Sequence, residues 1–184
     1  MYDIICVTNR KLCTGDFLET LEKAVMTRPY SVILREKDLS EEEYISLAEK
    51  AMEICRKYDV PCILHTFADA AIKLGCTALH LPMPLLRALP EEKKKHFSVL
   101  GASCHSKEEA VEARKLGASY ITAGHIFATD CKKGVPPRGI DFLREVCGAV
   151  DIPVFAIGGI TPERLKDTAD AGAAGGCMMS RFFF

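Results

Sequence analysis

Residues 119–134 read S-Y-I-T-A-G-H-I-F-A-T-D-C-K-K-G. The opening five, 119–123, are short, β-branched and apolar, the pattern of a buried strand rather than of a helical turn. Gly124 ends that run and His125 follows at once, ahead of the apolar pair Ile126 and Phe127 and then Thr129, Asp130, Lys132 and Lys133. A titratable imidazole at a strand end, followed by a cationic loop, suits proton transfer on a phosphorylated substrate. The same residues also suit a strand-end histidine beside a solvated charged turn, so the neighbouring elements must separate the two readings.

Outward from this stretch, apolar strand-like runs alternate with helical stripes. Strands are predicted at 2–8, 30–34, 61–64, 78–81, 97–102, 119–123, 153–157 and 175–179. Asp16 opens a helical pattern with Phe17, Leu21, Ala24 and Val25 on one face. Ser40 with Glu43, and Ser106 with Glu109, are spaced as capping boxes. Thr161-Pro162-Glu163 starts another helix with proline in its first turn, and Gly117 and Gly172 stop the helices before them. A basic turn at 93–95 reads as solvated surface. Eight βα units whose strands are near-continuous apolar runs predict an α/β fold, a (β/α)8 TIM barrel with a truncated last helix, as one domain over 1–184. A flavodoxin-like open sheet is the alternative, and it needs fewer strands.

Composition narrows the class. A net charge of -1, with no basic stripe, gives no general attraction to nucleic acid. No apolar run reaches the length of a membrane span, and the start of the sequence lacks a basic n-region and cleavage site, so a cytoplasmic protein is expected. The nine cysteines are scattered and odd in number, which favours free thiols in a reducing compartment over a disulfide framework. Cys104 and Cys131 fall in predicted loops, where a thiol is open to oxidants, although neither is expected to be catalytic.

In such a barrel the active site lies at the C-terminal ends of the strands. There the sequence puts Arg35, Glu36 and Lys37 after strand two, His65 and Thr66 after strand three, and His80 at the end of strand four. Ser103, Cys104 and His105 follow strand five; His125, Thr129, Lys132 and Lys133 follow strand six. Gly158-Gly159 after strand seven, and Met179 at the end of strand eight with Ser180 after it, offer backbone N–H groups for a phosphate. Four of five histidines map to one rim, but their spacing matches no compact metal motif, so no metal and no cofactor is expected. His65, His80 and His105 read as packing or hydrogen-bonding residues.

The runs A-G-H-I-F-A-T-D-C-K-K-G-V-P-P-R-G (123–139), I-P-V-F-A-I-G-G-I (152–160), G-A-S-C-H-S-K-E-E-A (101–110) and L-R-E-K (34–37) resemble the thiamine-phosphate synthase superfamily over nearly the whole chain. The G-H-x-F-x-T-D-C-K-K-G run is similar to its thiazole tautomerase branch, called TenI. The synthase branch joins a pyrimidine pyrophosphate to a thiazole phosphate with carboxylate-held Mg²⁺. Thr66 and Leu85 stand where the resemblance implies the two carboxylates. The resemblance therefore implies a thiazole tautomerase of thiamine biosynthesis, a metal-independent isomerase that aromatises a phosphorylated dihydrothiazole carboxylate. His125 would move the proton, and Arg35, Lys37, Ser103, Thr129, Lys132, Gly158, Gly159, Met179 and Ser180 would hold the substrate. A thiamine-phosphate synthase, or a non-catalytic regulatory protein of the TenI type, is the alternative. Phe182, Phe183 and Phe184 form an apolar tail that either caps the barrel bottom or meets a partner in a homodimer or higher homo-oligomer.

Overall fold

In the computed structural model, which describes residues 2–183 apart from the side chain of Cys131, eight parallel strands close in sequence order into one barrel. They are β1 (Asp3–Val7), β2 (Ser31–Leu34), β3 (Cys62–His65), β4 (Ala78–Pro82), β5 (Val99–Cys104), β6 (Tyr120–Gly124), β7 (Val154–Ile157) and β8 (Gly175–Met178). The helices are α1 (Phe17–Met26), α2 (Glu41–Lys57), α3 (Ala68–Lys73), α4 (Met83–Ala88), α5 (Glu91–Lys94), α6 (Lys107–Lys115), α7 (Gly139–Ala149), α8 (Leu165–Asp170) and α9 (Ser180–Phe183). This is the (β/α)8 barrel that the alternating pattern predicts. Closure comes from β8, which pairs with β1 through Asp3↔Gly175 to Cys6↔Met178.

Strand residues alternate between two cores, as the pleat requires. Ile5, Val7, Ile33, Ile63, Tyr120, Phe155 and Cys177 fill the barrel interior. Cys6, Val32, Leu34, Leu64, Leu79, Leu81, Ile121 and Ala156 point outward and are covered by the helices. The covering helices start where the sequence marks them. Asp16 caps α1 by accepting from the Glu19 amide. Ser40 and Glu43 form a reciprocal capping box on α2. At α6 only half of the expected box forms: Ser106 accepts from the Glu109 amide, but the Glu109 carboxylate accepts from the amide of His105 instead.

Three expectations change in detail. The basic turn at 93–95 overlaps the short helix α5, where Lys94 pairs with Glu91 and Lys93 with Asp69. β5 runs two residues further than predicted, so that Ser103 and Cys104 belong to the strand and pair with Thr122 and Ala123. Within the aromatic tail, Phe183 does not cap the barrel bottom. Phe183 is buried on the flank, its ring stacked on Phe17 of α1 at 5.9 Å, so α9 is the eighth helix in miniature. Phe184 lies outside the described residues. Among the described residues no helix is long and apolar enough to cross a membrane.

Candidate active site

The rim of the barrel is built first by a buried acid. Glu36, 2% exposed, accepts from the Thr8 hydroxyl at 2.7 Å, from the Arg10 amide at 3.0 Å and from Arg10 Nη1 at 3.1 Å. Arg10 also grips Asp38 with two bonds of 2.6 and 2.7 Å, and together with Lys11 holds that carboxyl well below its usual range. The Arg35 amide donates to Thr8 Oγ1 at 2.9 Å. The loop after β2 is thereby stitched to the loop after β1, and the two acids of the segment are spent on Arg10. Arg35 and Lys37 are left without them. Burial lowers the Lys37 pKa, and the positive charges of Arg35 and Lys132 lower it further. None of the ion pairs among the described residues uses Arg35, Lys37 or Lys132. Three cations from the β2 and β6 loops thus share one region.

Beneath them a polar column runs into the barrel. His80, buried inside on β4, is bonded through Nδ1 to the Tyr120 hydroxyl at 2.8 Å and through Nε2 to Ser103 Oγ at 2.9 Å. The Thr122 hydroxyl lies 3.5 Å from Ser103 Oγ. His65 stacks on His80 with centroids 5.5 Å apart, and its Nδ1 meets Thr66 Oγ1 at 2.6 Å. Burial drives the His80 pKa down to about 3, and Arg35 and Lys37 push the same way. His65 is lowered too, by burial first and then by His80, Arg35 and Lys37. Both rings are neutral at physiological pH.

The loop after β6 is locked onto the turn after β7. Ile126 and Phe127 donate their amides to Ile157 and Gly158 carbonyls at 2.9 and 3.0 Å. Gly158 and Gly159 have φ of +97° and +64°, and a β-carbon on Gly158 would stand 2.2 Å from that of His125. One on Gly159 would stand 2.5 Å from the Ala128 carbonyl. Close packing against this loop therefore requires both glycines. Arg164 closes the turn, donating to the Gly159 carbonyl at 2.7 Å while lying over the Phe127 ring. His125 is half-buried, and its Nε2 meets the Val135 carbonyl at 3.2 Å, so Nε2–H is the donor and the ring braces the 125–135 loop.

The predicted site residues are thus spread over three clusters and the segment that follows β8. Arg35, Lys37 and Lys132 form the cationic one, and Ser103 heads the interior column. Gly158 and Gly159 shape the β7 turn. Thr129 precedes the tight turn that carries Lys132, whose amide donates to the Thr129 carbonyl. Met179 is half-buried and its sulfur accepts from Asn9 Nδ2 at 3.8 Å; Ser180 is exposed at the start of α9. The rim assignment of His65 and His80 is corrected, because their side chains point into the barrel. Cys104 is not in a loop but ends β5, fully buried, with burial pushing its thiol up to about 12, so it is not an exposed reactive thiol. The side chain of Cys131 lies outside the described residues. Sequence reading missed Glu36 as the brace of the rim and Tyr120 as a polar residue of the interior. The signal for Tyr120 was present, since it alternates inward with Thr122 on β6 and faces a glycine on β5.

The Mg²⁺ that the synthase resemblance implies has no matching donor set. Thr66 spends its hydroxyl on His65, and Leu85 offers an alkyl chain on α4. Among the described residues no group of three His, Cys, Asp or Glu side chains could hold a metal ion. These residues do not fit a hard, oxygen-seeking cation.

A family model described as thiamine monophosphate synthase matches residues 4–182. The chain belongs to the thiamine monophosphate synthase family. It is 34% identical over 186 residues to thiamine-phosphate synthase of Syntrophomonas wolfei, covering 97% of this chain and 87% of that one. The thiamine-phosphate synthase of Alkaliphilus oremlandii is likewise 34% identical over 185 residues, with 97% and 87% covered. Among solved structures, thiamine phosphate pyrophosphorylase from Pyrococcus furiosus superposes with a TM-score of 0.83 at 28% identity, over 97% of this chain and 86% of that one. These relatives overturn the expectation of a thiazole tautomerase: their names are those of the synthase, a transferase, and not of an isomerase. His125, at the centre of the motif that carried the expectation, meets the Val135 carbonyl within its own loop. As a member of this synthase family the chain is read as an enzyme.

Proposed function

We propose that this chain is a thiamine-phosphate synthase, coupling a pyrimidine pyrophosphate to a thiazole phosphate with release of pyrophosphate. Membership of the family supports the reaction class. The observation that carries the site is the group of Arg35, Lys37 and Lys132, held near one another with no carboxylate partner among the described residues. Coupling forms a bond to the thiazole as the bond to pyrophosphate breaks, and the departing group gathers negative charge. Fixed cations aimed at that charge stabilise the transition state more than the ground state. Guanidinium binds phosphate oxygens in a fork, while the lysines act as point charges. Ser103, at the top of the polar column, adds a neutral donor. Glu36 contributes by holding the loop that bears two of the three cations. His125 is assigned the bracing of the 125–135 loop. The turn at Gly158-Gly159 and the exposed Ser180 remain the place for the thiazole phosphate, through backbone N–H groups.

The test is multiple-turnover formation of thiamine phosphate from the two substrates in buffer containing Mg²⁺. Steady product formation is expected, with Arg35→Ala and Lys37→Ala each slowing it by ~10²-fold, the usual cost of one electrostatic donor. Product no faster than in a protein-free control overturns the reading.

A further inference from the structure

The polar column inside the barrel has a direction. Tyr120 is buried, and the partner of its hydroxyl among the described residues is His80 Nδ1 at 2.8 Å. A phenol carries one proton to donate. If Nδ1 also carried a proton, the phenol O–H would have no acceptor, and a buried unpaired donor is strongly disfavoured. The proton of this bond therefore belongs to Tyr120, and Nδ1 is the acceptor. Burial keeps the ring neutral, so its single proton sits on Nε2. Nε2–H points at Ser103 Oγ, 2.9 Å away, and occupies an oxygen lone pair. The Ser103 proton is then unspent. The Thr122 hydroxyl at 3.5 Å is a long contact, and Ser103 is half-buried where His80 feels the charges of Arg35 and Lys37.

We propose that Tyr120 and His80 are positioning residues that polarise a one-way chain, Tyr120 O–H to Nδ1 and Nε2–H to Ser103 Oγ, so that Ser103 presents its O–H to an anionic oxygen of the pyrophosphate. This rests on the reading of the cationic rim as a pyrophosphate site. It gives the two buried groups a role that packing alone would not require. An ammonium or guanidinium attracts any anion, whereas a hydroxyl whose lone pair is already engaged is a donor of fixed sense. Such a chain strengthens cooperatively when its last proton finds a charged acceptor. His80 takes no part in proton transfer: its tautomer is set from one side by Tyr120 and used on the other by Ser103.

The experiment is long-range ¹H–¹⁵N NMR of the histidine-labelled full chain at neutral pH, with and without inorganic pyrophosphate, alongside calorimetry of pyrophosphate binding. His80 is assigned through its contact with the Tyr120 ring. The expected spectrum shows a protonated Nε2 and a bare Nδ1, and the Nε2–H signal moves downfield as pyrophosphate saturates the site. In Ser103→Ala, pyrophosphate should bind ~10-fold or more weakly, the scale of a hydrogen bond to a charged group, and the ligand-induced movement should vanish. A proton on Nδ1 overturns the chain. So does pyrophosphate binding that leaves His80 Nε2–H unmoved, an outcome that keeps the rim site. Absence of any pyrophosphate binding overturns both.

Discussion

Tyr120 stands against the bare α-carbon of Gly101: a β-carbon placed on Gly101 would lie 2.2 Å from Tyr120 Cζ and 2.4 Å from its hydroxyl oxygen. The two residues are register partners on β5 and β6. The aromatic ring that donates to His80 thus occupies space that only glycine leaves open. Gly101→Ala should displace the ring, strain the interior packing and cost roughly 1–3 kcal/mol, the range for overpacking a filled core. Urea unfolding measures it. A variant as stable as the parent would show that the ring moves aside freely.

Glu36 should be the most sensitive acid in the chain. Removing it leaves the Thr8 hydroxyl and the Arg10 amide, both bonded to it now, without their acceptor. Glu36→Ala is expected to lower stability by about 3 kcal/mol, as for other broken buried pairs. Glu36→Gln, which keeps an acceptor oxygen, should lose less. Equal losses for the two variants in denaturant titration would remove the charge from the explanation.

Acid should weaken the fold before any carboxylate titrates. His65 and His80 have pKa values lowered in the folded state, His80 to about 3. In the unfolded chain each returns to about 6.5, so below that pH the unfolded state binds more protons than the folded one. Stability is therefore full above about pH 6.5 and falls as pH drops towards the folded value, by roughly 1–2 kcal/mol per histidine at pH 5. Denaturant unfolding at pH 7 and pH 5 tests this, and His65→Phe should flatten the slope. A parent protein equally stable at both pH values contradicts it.

Gly158 is held at φ +97° with the His125 β-carbon in the place of its own missing one. Gly158→Ala should cost roughly 1–3 kcal/mol from backbone strain and loosen the 125–135 loop. Hydrogen exchange should show the gain concentrated at the Ile126 and Phe127 amides, which now bond across to β7 and its turn. Uniform exchange across the barrel would argue against a local brace.

The barrel was legible because its strands are apolar on both faces and its helices carry their own start signals at Asp16, Ser40 and Ser106. The cationic rim was legible as well, since Arg35, Lys37 and Lys132 lie just after predicted strands. The interior column was not, because a histidine at a strand end looks the same whether it points to the rim or into the barrel. Alternation with the outward Leu64, Leu79 and Leu81 turns His65 and His80 inward. Glu36 was hidden between two cations in R-E-K, where a surface ion pair is the ordinary expectation and its true partners are 26 and 28 residues away. The choice between synthase and isomerase was misread from one histidine-containing loop and from Thr66 and Leu85 at the two expected carboxylate positions, while the similarity carrying the synthase name extends over 97% of the chain.

The pairing of β1 with β8 also sets a timetable for synthesis. A nascent chain that has delivered seven strands still has two raw sheet edges, one of them β1, waiting for a partner some 170 residues later. The missing piece, Gly175–Met178, is the smallest in side-chain bulk, and Gly175 fits only because nothing projects from it towards the Asp3 carbonyl, 2.0 Å from where a β-carbon would be. Until it arrives, the incomplete sheet is exposed to pairing with other chains. A chain cut off shortly before residue 175 should therefore be an aggregation-prone intermediate, and supplying β8 should convert it to a closed, edge-free ring.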